Sequence, residues 1–394
     1  MTPMRPLSRH ELQVGSPLAQ AVYDREGKLL LEAGHVLRSD AQCESLVARG
    51  YVREAETQRR SSSSSGGLAS PPAGLAASGL AASGPRAWPA RVGPGILRLR
   101  DELRAVLPRL LQSDPGDAGQ RLCELREPLL RYLRQDADAA LAYMQLSARE
   151  DGQAARPIHA ALLIGLMAQT LALDEVELQS LLGAALSFDC ALAPLARVLN
   201  DQRAELTPAQ RELIRTHPER SAQALEATGI ADALWLQAVR QHHERLDGSG
   251  YPGGERGEAI SRGARLLALV DTYCAMIRPR AYRGAIAATE AMRAIFLERG
   301  TRVDEHLAAL FVREIGIYPP GGLVRLENNE VAVVFRRGAS AGKPRVRCLI
   351  DRYGKAEVTR PERDTATPGF AIAESLSTER YQGLLPGLEK LWDA

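Results

Sequence analysis

The chain has 394 residues, 45% of them hydrophobic and 25% charged, with a net charge of +2. This length exceeds one compact core of usual size and predicts two to four domains, and the composition is that of a soluble globular protein. The near balance of charge excludes a global pull toward nucleic acid or an anionic membrane. Five cysteines, Cys43, Cys123, Cys190, Cys274 and Cys348, stand singly without CxxC spacing. That pattern suits a reducing cytosol and argues against a disulfide framework or a zinc knuckle. Met1 to Val14 lacks the apolar segment of a signal peptide. The most apolar helical run, Ala160 to Leu173, is broken by Gln169 and Thr170 and is too short to span a bilayer. The expected location is the cytoplasm.

Residues 1–57 read as a small α+β module. Val22-Tyr23 and Leu29-Leu30-Leu31 predict a hairpin, and Ala41 to Arg49 a short helix before Gly50. Residues 58–95, with the serine run Ser61 to Ser65 and a repeated Gly-Leu-Ala theme, bury too little to offset the entropy of ordering and predict a flexible linker. A helical lead-in is expected over 96–155. Its first helix carries Leu97, Leu99, Leu103, Val106, Leu107 and Leu110 on one face; further helices are expected over Ala118 to Leu133 and Ala137 to Arg149. Helices continue over 156–317, where Thr207-Pro208-Ala209-Gln210 reads as an N-cap with proline at the first helical position. After Tyr318-Pro319-Pro320-Gly321-Gly322 the pattern changes. Leu323 to Leu326, Glu330 to Phe335 and Arg345 to Ile350 predict strands, so 318–394 is expected to be a small β-rich appendage. Its basic residues Arg336, Arg337, Lys343, Arg345 and Arg347 fit a solvated strand edge at least as well as an anion site.

The most informative run is His242-His243-Glu244-Arg245-Leu246-Asp247-Gly248-Ser249-Gly250-Tyr251-Pro252. Histidine occurs only seven times in the chain, and two of the seven are adjacent here. His159 and His217 lie upstream on expected helices, and Asp189 and Asp271 each end an apolar stretch. A carboxylate at such a position is costly unless a cation or hydrogen-bond donors compensate it. The candidates His159, Asp189, His217, His242 with His243, and Asp271 are spaced by roughly one helix plus its connection, which lets each helix of a bundle offer a ligand to one centre. His, Asp and Glu are the ligands of a hydrolytic metal site.

With these residues in view, the chain resembles the HD-GYP family, bacterial HD-domain metal phosphohydrolases that degrade cyclic di-GMP. The signature HHExxDGxGYP is matched from His242 to Pro252; Thr216-His217-Pro218, Val270-Asp271-Thr272-Tyr273 and Arg278 to Arg283 also resemble family segments. The resemblance implies a mainly α protein, an all-helical HD-GYP bundle between the two small modules. It implies His159, Asp189, His217, His242, His243 and Asp271 as metal ligands or near neighbours, with Asp189 bridging two metals. Asp189, His243 and Asp247 are the implied catalytic groups, and Gly250, Tyr251, Pro252, Arg280 and Arg283 stand where family members meet substrate. The implied cofactor is a divalent metal, Fe, Mn or Mg, as one or two ions. The chemistry suits these groups: metal neutralises the phosphodiester and activates water, while arginines grip phosphate.

The family's His-Asp pair, usually within HDIGK, aligns with Phe188-Asp189-Cys190-Ala191-Leu192. Phe188 cannot bind metal, and Leu192 replaces a lysine. Ala155 and Cys274 stand where an acid occurs in family members; Cys274 is either a soft ligand or plain core. The His159 side of the site is therefore expected to be crippled, whereas Asp189, His217 and His242 keep a second metal position. The resemblance implies a phosphodiesterase that opens cyclic di-GMP to pGpG or GMP, with an impaired site. The alternative is an inactive member that binds cyclic di-GMP or metal and signals through protein partners such as diguanylate cyclases. General phosphohydrolase action on another nucleotide is the weaker third expectation. Neither nucleic acid nor membrane is an expected partner.

Overall fold

The computed structural model describes residues 4–7, 12, 22–23, 25, 29–31, 46–47, 51–53, 88–147, 152–279, 284–377, 381, 383–385 and 387–392. It forms two compact units, Met1–Ala82 and Ser83–Ala394. In the first, β1 (Met4–Pro6), β2 (Val22–Tyr23), β3 (Leu29–Leu31) and β4 (Tyr51–Arg53) make an antiparallel sheet in the order β1-β4-β2-β3. The expected hairpin is present, with Val22 opposite Leu31. Of the expected helix over 41–49, Leu46 and Val47 are described and are helical. Leu7, Leu12, Val22, Leu46 and Val52 form this unit's core. Most of the expected linker, 58–87, lies outside the described residues.

The second unit is mainly helical. Its helices are α1 (Val92–Val106), α2 (Ala118–Glu124), α3 (Arg126–Gln135), α4 (Ala137–Leu146), α5 (Gly152–Met167), α6 (Glu175–Ser187), α7 (Ala196–Asp201), α8 (Pro208–Ala227), α9 (Ala233–Gln241), α10 (Arg262–Met276), α11 (Ala288–Leu297) and α12 (Glu305–Ile315). Helix α1 starts at Val92, inside the stretch whose composition reads as linker, and buries Ile96, Leu99, Leu103 and Val106 while Leu97 is half-buried. The single helix expected over Ala118 to Leu133 is two, α2 and α3. Pro128 explains the break: it has no N–H for the Glu124 carbonyl and its ring would clash there, so a new helix starts at Arg126 with proline in its first turn. Helix α8 starts as read, with Thr207 and Gln210 forming a reciprocal capping box.

Trp235 of α9 sets the register that matters for the site. Its ring seats on Gly183 of α6, where a Cβ would meet ring carbons at 2.5 Å, so a larger residue cannot stand there. Its Nε1–H donates to Ser187 Oγ at 2.9 Å. Gly183 lies six residues before Asp189 and Trp235 seven before His242, about two helical turns in each case. The C-terminal ends of α6 and α9 therefore emerge together and carry Phe188-Asp189 and His242-His243 to one place.

After the helices, β5 (Leu323–Leu326), β6 (Val331–Arg336), β7 (Arg345–Ile350), β8 (Glu362–Asp364) and β9 (Ile372–Leu376) form an antiparallel sheet in the order β8-β7-β6-β5-β9. The two-residue period of the strands splits their apolar side chains between two cores. Leu323, Val333 and Leu349 join the helical core, and Val324, Leu326, Ala332, Val334 and Val346 form a separate cluster. Four of the five basic residues have acidic partners: Arg336 pairs with Asp136, Arg337 Nε with Asp138 Oδ1 at 2.5 Å, and Arg345 and Arg347 with Glu362. The first two pairs pin β6 and the residue after it to the start of α4. Among the described residues no helix is long and apolar enough to cross a membrane, and Cys123, Cys190, Cys274 and Cys348 are free.

Candidate metal centre

Two histidines are held by carbonyls that their helices leave unpaired. In α8, Pro218 has no N–H to give the Ile214 carbonyl, and His217 Nδ1 sits 2.6 Å from that oxygen. At the end of α9, Val239 is among the last carbonyls without a helical donor, and His242 Nδ1 sits 2.6 Å from it. A carbonyl only accepts, so each Nδ1 carries the proton and each Nε2 presents a lone pair. The Thr216-His217-Pro218 segment thus has a physical reading, since the proline frees the carbonyl that fixes the histidine's tautomer. Burial draws His242 down to about 3, with the neighbouring His217 adding to the effect, and burial also lowers His243 well below its usual value. Both are neutral imidazoles at neutral pH, the form that binds metal.

Asp189, just past the end of α6, joins them. Its Oδ1 lies 3.2 Å from His217 Nε2 and 3.9 Å from His242 Nε2, and the two Nε2 atoms are 3.3 Å apart. Asp189, His217, His242 and His243 each offer a ligand atom within 4.8 Å of the others. With both Nδ1 atoms protonated, three acceptors converge on one point and Asp189 Oδ1 has no hydrogen-bond donor. Such an arrangement is unfavourable unless a cation sits among the acceptors. Ligands bound about 2.0–2.2 Å from a common ion stand roughly 3–3.5 Å apart, which matches the two shorter separations. The donor set and its orphaned oxygen therefore fit a divalent metal.

The other side of Asp189 is different. Arg156 of α5 gives Nη1–H to Asp189 Oδ2 at 2.6 Å and Nε–H to Asp271 Oδ1 at 2.6 Å, and its Nη2 also pairs with Asp271. Burial alone would lower Arg156, but the two carboxylates outweigh it and hold it above the ordinary arginine value. Burial raises Asp271, with Arg156 pulling against it; at Asp189 the guanidinium overcomes burial and the carboxyl is held well below its usual range. The Arg156 Cζ stands 5.2 Å from the Phe188 ring centroid, and Phe188 meets His242 edge-on at 5.1 Å. His159 and Asp271 lie outside the four-residue group. His159 is buried with no partner for Nδ1, edge-on to Tyr273, and is drawn down to about 3 by burial and by Arg278. Burial pushes the Cys274 thiol up to about 12, which keeps it protonated at neutral pH.

The signature loop is tied down by its own acid. Glu244, 4% exposed, accepts from Gly253 N at 2.6 Å and Gly254 N at 3.1 Å through Oε1, and from Glu255 N at 3.0 Å through Oε2. At Gly250 a Cβ would lie 2.5 Å from Arg245 N and His243 O, so only glycine fits where the loop folds back. Tyr251 N then donates to His243 O at 3.2 Å, and its ring lies against the His243 ring with centroids 4.6 Å apart. Pro252 follows through a cis peptide. Asp247 is not in the metal-ligand group: it accepts from Ser249 N at 2.9 Å and faces Arg302 at 3.6 Å on the exposed side of the loop. Arg280 and Arg283 lie outside the described residues. Arg156 is the site residue that sequence reasoning missed. Its signal was position: an arginine among Ala154, Ala155, Pro157 and Ile158, one turn before His159.

A helical bundle that converges Asp and His side chains from successive helices defines an HD domain, and the family model described as HD domain matches residues 128–307. Similarity to curated proteins runs further. A cyclic di-GMP phosphodiesterase of Pseudomonas aeruginosa is 28% identical over 287 residues, covering 71% of this chain and 66% of that protein. A cyclic di-GMP phosphodiesterase response regulator of Xanthomonas campestris is 28% identical over 221 residues, 54% of this chain and 58% of the relative. A 3'3'-cGAMP-specific phosphodiesterase of Vibrio cholerae is 26% identical over 159 residues, 40% of this chain and 34% of its own. The chain thus spans less than two thirds of the length of each of these relatives. Residues 128–307 thus match an HD domain, and the chain is similar to cyclic di-GMP phosphodiesterases over a longer span.

Proposed function

We propose that this protein is a metal-dependent phosphodiesterase acting on cyclic di-GMP, opening the ring to linear pGpG with a reduced metal centre. The observation that carries the reading is the convergence of Asp189 Oδ1, His217 Nε2 and His242 Nε2, with His243 alongside, beneath an intact HHExxDGxGYP loop. A divalent ion held by these four residues supplies Lewis acidity and a water of lowered pKa. His217 and His242 present fixed lone pairs because their Nδ1 protons are committed to Ile214 and Val239. Asp189 carries negative charge to the ligand cluster through one oxygen while the other is neutralised by Arg156. Tyr251, packed on His243, offers a ring face at which a guanine can stack. Arg280 and Arg283 belong to this proposal as phosphate contacts.

Phe188 and Arg156 favour a second reading, a protein that binds cyclic di-GMP without cleaving it and acts through protein partners. Phe188 has no ligand atom, and the charge of Arg156 is already committed to Asp189 and Asp271. One experiment separates the two. Purified protein loaded with Mn(II), or anaerobically with Fe(II), is incubated with cyclic di-GMP and assayed for pGpG, with Asp189→Ala as control. Product that vanishes in the control supports catalysis. Cyclic di-GMP binding without product would replace the enzyme by a receptor.

A further inference from the structure

A buried arginine between two aspartates is stable only because its charge and its donors are used. Arg156 and Asp189 each retain 17% side-chain exposure and Asp271 5%. The guanidinium spans Asp189 Oδ2 and Asp271 Oδ1 with hydrogen bonds of 2.6 Å to each. It has no lone pair and does not lose its proton in proteins, so it does not release these oxygens to another cation by titrating. Phe188 suits this neighbour, since its ring takes the guanidinium while its edge packs on His242. Asp189 is thus shared: Oδ2 faces a cation that the chain supplies, and Oδ1 faces histidine lone pairs with no donor at all.

We propose that Arg156 is a built-in cation standing in place of a metal ion. It confines the chain to one divalent ion, held by Asp189, His217, His242 and His243. Arg156, more than the missing histidine at position 188, closes the Asp189–Asp271 side to metal. The inference rests on reading the four-residue cluster as a metal site, and it makes Arg156 a positioning residue that holds Asp189 ionised and oriented toward that cluster.

The test is metal stoichiometry of the full chain. Protein dialysed to equilibrium with Mn(II) is analysed by elemental mass spectrometry and by electron paramagnetic resonance. Wild type should hold one ion per chain with an uncoupled spectrum. Phe188→His, which restores a ligand but keeps Arg156, should also hold one. The double variant R156Q/F188H should hold two and show an exchange-coupled pair. Two ions in wild type, or two in Phe188→His alone, would overturn the proposal. Should the double variant fail to fold in metal-free buffer, the single variant still decides. One ion without pGpG would sink the phosphodiesterase reading and leave the role of Arg156 standing. No ion in wild type would remove both.

Discussion

The two sides of Asp189 solve one electrostatic problem in different ways. On the Oδ2 side a carboxylate pair is closed by a guanidinium donated from α5, and every contact there joins a donor to an acceptor. On the Oδ1 side three acceptors point at one another, held by histidines whose protons are spent on Ile214 and Val239. The closed side is complete as the chain stands, whereas the open side is complete only with a cation from solution. The difference teaches that one carboxylate can meet an internal charge at one oxygen and an uncompensated cluster of acceptors at the other.

The sharpest way to break the comparison is to remove the carboxylate that both sides share. Asp189→Ala should abolish metal binding, because the anion opposite His217 and His242 is lost; unchanged metal content by elemental analysis would refute the assignment. Next in size is Arg156→Ala, which leaves Asp189 and Asp271 buried and unpaired. Breaking a buried pair in this way costs about 3–5 kcal/mol, read as a lower midpoint in denaturant. Adding Asp271→Asn should recover part of that loss, and Mn(II) should stabilise Arg156→Ala more than wild type. Equal metal effects on both proteins would mean that the guanidinium does not guard the closed side.

Much of this arrangement was legible before any coordinates. Histidine is scarce enough that His217 and the His242-His243 pair stood out, and their spacing of one helix and connection identified a shared centre. The hairpin at Val22 to Leu31, the N-cap at Thr207 and the change to strands after Gly322 were carried by local turn and capping chemistry. Other features depend on partners distant in sequence. Arg156 reads locally as one more helical arginine, and only the approach of α6 and α10 shows that its charge is spent on Asp189 and Asp271. Arg336 and Arg337 read as a solvated edge for the same reason, because Asp136 and Asp138 reach them only through the fold.

Acid should act on both sides by a smaller amount. His242 on the open side and His159 near the closed side are both held down to about 3 against an ordinary value near 6.5. Above that ordinary value both folded and unfolded chains are neutral there, so no stability is at stake. As pH falls from about 6.5 toward 3, the unfolded chain takes up protons that the fold refuses, and stability is lost. By pH 5 the loss is roughly 2 kcal/mol for each histidine in metal-free protein. Metal on the open side keeps His242 unprotonated in the fold just as burial does, so Mn(II)-loaded protein should lose at least as much stability over this range as metal-free protein. Thermal melts of both forms across this range are the measurement; a Mn(II)-loaded protein that loses less would count against His242 as a ligand.

The smallest expected effect concerns the loop over the open side. Glu244→Gln keeps the size of the side chain but replaces one acceptor oxygen by an amide donor facing backbone N–H groups of Gly253, Gly254 or Glu255. At least one buried donor then loses its partner, at a cost of about 1–3 kcal/mol, and amide hydrogen exchange at these residues should quicken. Tyr251 reaches His243 through this same loop, so cyclic di-GMP affinity should fall. Metal content should not change, since Glu244 supplies no ligand to the four-residue cluster. A loss of metal in Glu244→Gln would mean that the loop itself sets the positions of His242 and His243. The open side would then depend on its cover as the closed side depends on Arg156, and the contrast between them would narrow.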